Sequence, residues 1–87
     1  MRLRKRSSVG TLTFVTRAGC TLCAEAQPVV ERLAVRAGVE LDVRDVDADP
    51  TLQGWSDHVP VVLLDGVEHS RWWVDQTALA KALNVRV

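Results

Sequence analysis

The sequence lacks long apolar runs. No stretch approaches the roughly 20 apolar residues that a helix needs to cross a bilayer. The opening segment, MRLRKRSSVG, also lacks the apolar centre of a secretory signal. With 87 residues, the chain is too short to divide into two domains that would each bury a core. These absences predict a single globular domain in the cytoplasm.

Cysteine is scarce, and its scarcity excludes one class of small protein. The chain has only two cysteines, Cys20 and Cys23, in the stretch RAGCTLCAEAQP. One pair cannot form the multiply bridged framework of a small secreted domain, and a reducing cytoplasm would not preserve a purely structural disulfide. Three interpretations of the pair remain: a redox couple, half of a metal site, or two core residues.

The chain has no excess of charge of either sign, because its formal net charge is zero. Four of the eleven basic residues stand at its start, namely Arg2, Arg4, Lys5 and Arg6. The other seven cations face eleven acidic residues, which gives the rest of the chain a net charge of −4. We predict a flexible basic tail over residues 1–9 and a folded domain over residues 10–87. The tail has no interleaved aromatic residues, so we expect no nucleic-acid or membrane partner. We also expect the protein to be a monomer.

Apolar periodicity predicts a strand before the cysteines and a helix after them. TLTFVT, residues 11–16, alternates apolar residues with threonine and is typical of a strand. From Thr21 to Ala37 apolar residues recur every three or four positions, which predicts an amphipathic helix capped by Gly38. Its expected buried stripe contains Leu22, Ala26, Val29 or Val30, Leu33 and Ala37. Pro28 is expected to bend this helix because proline removes a backbone donor.

The second half of the chain predicts a strand, a short helix, a hairpin and a final helix. VELDVRDVD alternates as a strand, and Asp49 is expected to cap a short helix that begins at Pro50. Asp65 and Gly66 predict the turn of a hairpin, and Asp75 predicts the cap of the final helix. The buried stripe of that helix is expected at Ala78, Leu79, Ala82 and Leu83. The order β-α-β-(α)-β-β-α predicts an α/β fold with a four-stranded mixed sheet and helices on both faces.

The position of Cys20 favours the redox interpretation. It falls where the first strand gives way to the helix, and the helix dipole there lowers the pKa of a cysteine from about 8.5 to roughly 3.5–7.5. Cys23 lies one turn further on, more inward, and can reach Cys20 to form a disulfide. A structural zinc ion would need four ligands, and His58 and His69, the only other good donors, are far from the usual paired spacing. We expect both histidines to serve surface or packing roles.

The combination of motifs resembles the glutaredoxin-like proteins of the thioredoxin superfamily, in particular their small, divergent bacterial branch. The resemblance covers roughly residues 10–84. It rests on CTLC after the first strand, Pro28 beyond it, DVDADP closing the second strand, VP before the third, and the DG hairpin. It implies a thioredoxin-like fold, in which Pro60 is cis and lies beside the cysteines. It also implies that the backbone of Val59 pairs with the bound substrate.

Some residues depart from the pattern of well-studied glutaredoxins. Those proteins carry Pro-Tyr between the cysteines, where this chain has Thr21 and Leu22. They also carry a Gly-Gly pair that helps to hold glutathione, where this chain has Ser70 and Arg71, followed by the bulky Trp72 and Trp73. We therefore expect weak glutathione-dependent activity and a substrate contact at Arg71. Arg17 stands where glutaredoxins often have lysine, and we expect it to stabilise the thiolate or to meet a carboxylate.

These observations predict a thiol–disulfide oxidoreductase. Cys20 is the expected nucleophile, Cys23 the expected resolving cysteine, and Arg17, Val59, Pro60 and Arg71 the expected substrate contacts. The expected partners are a disulfide-containing protein or a small thiol. No metal or tightly bound cofactor is expected, although glutathione or another small thiol is a possible co-substrate. Two alternatives remain: a catalytically silent binding module with the same fold, and an iron–sulfur cluster carrier.

Overall fold

The computed structural model describes residues 7–86 and has the predicted order of elements. Strand β1 spans Thr11–Thr16, helix α1 Thr21–Ala37 and strand β2 Glu40–Asp45. A 3-10 helix follows at Pro50–Trp55, then strands β3 (Val61–Leu64) and β4 (Val67–Arg71) and helix α2 (Gln76–Ala82). Arg2, Arg4, Lys5 and Arg6 lie outside the described residues. The boundary between tail and domain stays a prediction.

The four strands form one mixed sheet in the order β2-β1-β3-β4. β1 pairs with β2 in parallel and with β3 antiparallel, and β4 completes an antiparallel hairpin with β3. The hairpin turns at Asp65 and Gly66, both with positive φ, as this two-residue turn requires. Asp65 also accepts hydrogen bonds from the backbone N–H groups of Gly10 and Thr11, which fixes the start of β1.

Each face of the sheet has its own apolar core. On one face, α1 and α2 pack on side chains that include Leu12, Phe14 and Val62, all fully buried. On the other face, Val15, Val46, Val61 and Leu63 pack with partly buried side chains of the 3-10 helix and the segment after it. The alternation of side chains along β1 and β3 supplies both cores. Helices therefore cover both faces, as predicted, although the only helix on the second face, among the described residues, is the 3-10 helix.

The predicted stripe of α1 is partly wrong. Leu22 is 54% exposed, whereas Cys23, Val30, Leu33, Ala34 and Ala37 form the buried face. The helix continues without interruption through Pro28. Pro28 removes only the hydrogen bond to the Ala24 carbonyl, and both residues lie on the exposed side, where water can satisfy that carbonyl.

The predicted stripe of α2 is also partly wrong. Leu79, Ala80 and Leu83 are buried, whereas Ala82 is exposed. The expected cap is confirmed, because the carboxylate of Asp75 accepts a hydrogen bond from the Ala78 N–H.

Candidate functional site

The predicted site residues meet at one edge of the sheet. In the strand register Val15 lies opposite Val61, and Val61 lies opposite Arg71. The end of β1, the start of β3 and the end of β4 therefore share this edge. The cysteines follow β1 and Val59–Pro60 precedes β3.

The cysteine pair sits at the start of α1. Cys20 is the N-cap of the helix, is half-buried, and forms a disulfide with Cys23, whose Cα lies 5.2 Å away. Cys23 is only 1% exposed. The Sγ of Cys20 accepts a hydrogen bond from the Cys23 N–H at 3.2 Å, and the first turn of α1 contains no acidic residue. Cys20, the less buried cysteine of the pair, therefore lies at the start of a helix, a position that favours negative charge.

Val59 and Pro60 form the segment that leads into β3. The peptide bond between them is cis, as the resemblance implied, and Pro60 is buried. Val59 is half-buried and packs against the second core. Within residues 7–86, no hydrogen bond engages the backbone N–H or C=O of Val59. Within the described part of the chain, the backbone of Val59 therefore has no internal hydrogen-bond partner.

Arg17 meets a carboxylate, which was one of its two expected roles. Its Nε and Nη2 donate to the two carboxylate oxygens of Asp47, each at 2.9 Å, and its Nη1 donates to the carbonyl of Ser56 at 2.9 Å. The backbone carbonyl of Arg17 accepts from the Cys20 N–H at 3.2 Å. Arg17 thus connects the turn before the cysteines to the end of β2 and to the segment before Val59.

Arg71 is held within the protein. Its Nε and Nη2 donate to the two carboxylate oxygens of Glu68 at 2.7 and 2.6 Å. Its guanidinium carbon lies 5.8 Å from the ring centroids of both Trp55 and Trp72, within the range of a cation–π contact. The predicted substrate contact of Arg71 stays a prediction, and these internal partners compete with it.

Both tryptophans of the WW pair are exposed, Trp72 by 55% and Trp73 by 62%. Trp72 nevertheless has defined partners. Its backbone N–H donates to the His58 carbonyl at 2.7 Å, its Nε1–H donates to the Asp57 carbonyl at 3.1 Å, and its ring lies 5.5 Å from that of His58. These contacts of Trp72 were not predicted from the sequence. The WW motif drew attention to the position, but no local pattern shows that its partner lies fifteen residues earlier.

Most of the chain matches a known protein family. The model of the family described as Glutaredoxin-like domain (DUF836) matches residues 11–84. The chain belongs to this glutaredoxin-like family. The match starts with β1 and ends after α2, so it covers the whole sheet, the cysteine pair and both α-helices.

Similar sequences to this glutaredoxin-like chain occur in mycobacteria. It is 39% identical over 72 residues to the uncharacterized protein Rv0508 of Mycobacterium tuberculosis, over 76% of this chain and 74% of that protein. The same values hold for the uncharacterized protein Mb0520 of Mycobacterium bovis.

Solved structures confirm the thioredoxin-like fold of the glutaredoxin-like chain. Protein Ne2328 of Nitrosomonas europaea matches with a TM-score of 0.67 at 23% identity, over 91% of this chain and 96% of that one. A mutant thioredoxin of Halobacterium salinarum matches with a TM-score of 0.64 at 26% identity, over 85% and 71%. Thioredoxin 1 of Thermosipho africanus matches with a TM-score of 0.62 at 19% identity, over 85% and 94%.

A cavity lies elsewhere in the glutaredoxin-like chain. It has a volume of about 950 Å³ and lies between the C-terminal ends of α1 and α2, with Arg36, Lys81 and Arg86 among its lining residues. Arg36 is sixteen residues along α1 from Cys20, which corresponds to roughly 24 Å of helix. The cavity is therefore separate from the candidate site.

The described residues contain neither a cluster of metal ligands nor a membrane-spanning helix. Residues 7–86 contain no group of three His, Cys, Asp or Glu side chains placed to hold a metal ion. No helix in this range has both the length and the apolar character needed to span a membrane.

Two ion pairs of the site make the stability of the glutaredoxin-like chain depend on pH. The hydrogen bonds from Arg17 lower the pKa of Asp47, and those from Arg71 lower the pKa of Glu68. A carboxylate whose pKa is lower in the folded chain stabilises the fold above its unfolded value and loses this effect as the pH falls through the folded value. The unfolded values are about 3.9 for Asp and 4.3 for Glu.

We therefore expect the denaturant midpoint to fall as the pH is lowered below about 4, which urea titrations from pH 7 to 3 would measure. In Asp47→Asn and Glu68→Gln this fall should be smaller than in the wild type. Glu31→Gln removes an exposed carboxylate of α1 that forms no ion pair within residues 7–86, and it serves as the matched control. Parallel pH profiles for all four proteins would contradict the role of these ion pairs.

Proposed function

We propose that this glutaredoxin-like protein is a thiol–disulfide oxidoreductase that reduces disulfides of proteins or small molecules. The single observation that carries the proposal is the asymmetry of the cysteine pair. Cys20 is half-buried at the start of α1, whereas Cys23 is 1% exposed directly behind it, within disulfide-bonding reach. A nucleophile that is more accessible than its buried resolving partner is the arrangement that exchange requires.

The reaction follows from this arrangement. The Cys20 thiolate attacks one sulfur of the substrate disulfide, which forms a mixed disulfide and releases the other sulfur as a thiolate. Cys23 then loses its proton and attacks the Sγ of Cys20, which releases the second substrate thiol and leaves the Cys20–Cys23 disulfide. Two electrons pass from the cysteine pair to the substrate. A dithiol protein or a small thiol, glutathione or another, restores the reduced pair as a co-substrate, and no tightly bound cofactor takes part.

Substrate recognition is assigned to the backbone of Val59. Its free N–H and C=O groups offer hydrogen bonds to an extended chain, whatever the side chains of that chain are. Pro60 shapes the same segment. The monomeric state, the cytoplasmic location and the absence of nucleic-acid or membrane partners remain predictions.

Reduction of insulin disulfides, driven by dithiothreitol, tests the proposal. We expect turnover well above the uncatalysed rate, and a protein lacking both cysteines is the control. Equal rates with and without the protein would favour the silent binding module. A coloured protein that releases labile sulfide would favour the iron–sulfur carrier.

A further inference from the structure

Three consecutive carbonyl groups before Val59 each accept a hydrogen bond from another part of the chain. The Ser56 carbonyl accepts from Arg17 Nη1 at 2.9 Å. The Asp57 carbonyl accepts from Trp72 Nε1 at 3.1 Å, and the His58 carbonyl accepts from the Trp72 N–H at 2.7 Å. A surface segment without strand or helix structure is normally among the more mobile parts of a fold. Here residues 56–58, the carbonyl segment, are held from both sides.

The guanidinium of Arg17 is also held by Asp47, through the nitrogens that do not contact Ser56. The paired hydrogen bonds to Asp47 use the planar fork of the arginine, which a carboxylate matches better than any other side chain. Its backbone carbonyl also accepts from the Cys20 N–H. A single residue therefore links the turn that carries the nucleophile to the carbonyl segment.

Trp72 adopts a costly backbone conformation at this place. Its φ is +69°, a value that bulky residues rarely adopt outside strained sites. Its ring is more than half exposed, so core packing does not account for the conformation. In this conformation the backbone N–H and the indole N–H donate to two successive carbonyls, and the ring lies beside that of His58 at a tilt of 30°.

We propose that Arg17 and Trp72 are positioning residues that hold the carbonyl segment and so fix the Val59 peptide beside Cys20. This inference rests on the proposed function, because it assigns Val59 the role of pairing with the substrate. Neither side chain needs to touch the substrate. Three N–H groups of Arg17 are already engaged inside the protein, and its charge is paired with Asp47. The inference replaces the substrate contact that the sequence predicted for Arg17.

Two variants remove one support each. Arg17→Gln removes the bond to Ser56 together with the ion pair, and Trp72→Phe removes the bond to Asp57 while it keeps an aromatic ring over His58. For each we expect kcat/KM with a protein disulfide to fall about tenfold, the effect of one hydrogen bond, mainly through a higher KM. Arg17→Lys should not restore activity, because an ammonium group cannot reproduce the fork. Arg32→Gln, which removes an exposed arginine of α1, is the matched control and should behave as wild type.

Two measurements separate positioning from the other roles open to Arg17. If Arg17 stabilised the Cys20 thiolate, Arg17→Gln would slow alkylation of Cys20 at pH 7; we expect a change of no more than about twofold. If Arg17 bound the substrate directly, its loss would matter more for a disulfide peptide flanked by glutamate than for one flanked by glutamine; we expect equal losses. A markedly slower alkylation, or a loss confined to the acidic peptide, would overturn the inference.

Amide hydrogen exchange tests the same inference without any turnover. The Trp72 N–H is bonded to the His58 carbonyl and the His58 N–H to the Trp55 carbonyl, so both amides report on the carbonyl segment. In Arg17→Gln and Trp72→Phe we expect both amides to exchange about tenfold faster than in the wild type, while amides of β1 keep their rates. Unchanged exchange at both amides would refute the positioning role. If both amides exchange faster in the variants but the wild type does not reduce insulin, the proposed function is refuted and the positioning role is not.

Discussion

Insulin reduction is expected to fall by at least about a thousandfold in Cys20→Ser, because a serine hydroxyl does not replace a thiolate as the attacking group. In Cys23→Ser the first step should remain. The mixed disulfide between Cys20 and the substrate should then accumulate, since no second thiol resolves it. Mass spectrometry under non-reducing conditions would show a stable adduct for Cys23→Ser and none for Cys20→Ser.

Because Cys23 is buried, this experiment needs controls for the stability of the variants. A serine hydroxyl at a position that is 1% exposed is itself destabilising, so Cys23→Ala should be studied beside Cys23→Ser. Both variants should trap the same adduct while circular dichroism shows a retained fold. In the reduced wild type, alkylation near pH 7 should label Cys20 much faster than Cys23. Equal labelling, or an adduct formed by Cys20→Ser, would show that the roles of the two cysteines are assigned wrongly.

The features predicted correctly from the sequence depend mostly on interactions between near neighbours. The cap at Asp75 reaches only three residues along the chain, and Gly38 terminates α1 in the left-handed conformation that glycine permits. Asp65 and Gly66 specify their turn by their own backbone preferences. Because such effects act within one turn, the residues themselves indicate where the elements begin and end.

The errors concern which face of a helix is buried. The pattern after Thr21 includes both Leu22 and Cys23 as apolar candidates, and periodicity alone does not say which of them faces the sheet. The structure buries Cys23 and leaves Leu22 exposed, because the buried stripe passes through Val30, Leu33 and Ala34. In the same way, the prediction for α2 placed Ala82 on the buried stripe, whereas the structure buries Ala80.

Sequence patterns do not predict the partners of the charged and aromatic side chains at the site. Arg17 and Asp47 are thirty residues apart, and Trp72 and Asp57 fifteen. They meet because β1, β2 and β4 end at or near one edge of the sheet, which is a property of the topology. A carboxylate contact was one of the two roles that the sequence indicated for Arg17, since arginine offers a fork that carboxylates fill. The sequence did not indicate which carboxylate this would be. It also did not indicate that Trp72, at φ +69°, would donate hydrogen bonds to the carbonyl segment.

Glutathione is expected to be a poor reductant of this protein. In glutaredoxins, small residues at the positions of Ser70 and Arg71 allow the tripeptide to approach. Here Arg71 is fixed by two hydrogen bonds to Glu68, and its guanidinium lies near the exposed ring of Trp72. This arrangement places the bulky side chain of Arg71 where glutaredoxins have a small residue, and it pairs the charge of Arg71 with Glu68. We expect kcat/KM with glutathione to be at least about tenfold below that with a thioredoxin-type dithiol reductant, the effect of one lost charged contact.

Substitution at the same two positions tests the cause of this preference. Ser70→Gly removes a hydroxyl that is buried without a hydrogen-bond partner, so it costs no hydrogen bond, although glycine weakens a strand by up to about 1 kcal/mol. Arg71→Gly leaves the Glu68 carboxylate without its cation, and that charge would repel glutathione. The informative variant therefore combines Ser70→Gly, Arg71→Gly and Glu68→Gln, with Glu68→Gln alone as its control.

Turnover with glutathione should rise in the combined variant while turnover with the dithiol reductant does not. Efficient glutathione turnover by the wild type, or no gain in the combined variant, would show that Arg71 and its partners do not restrict this side of the site.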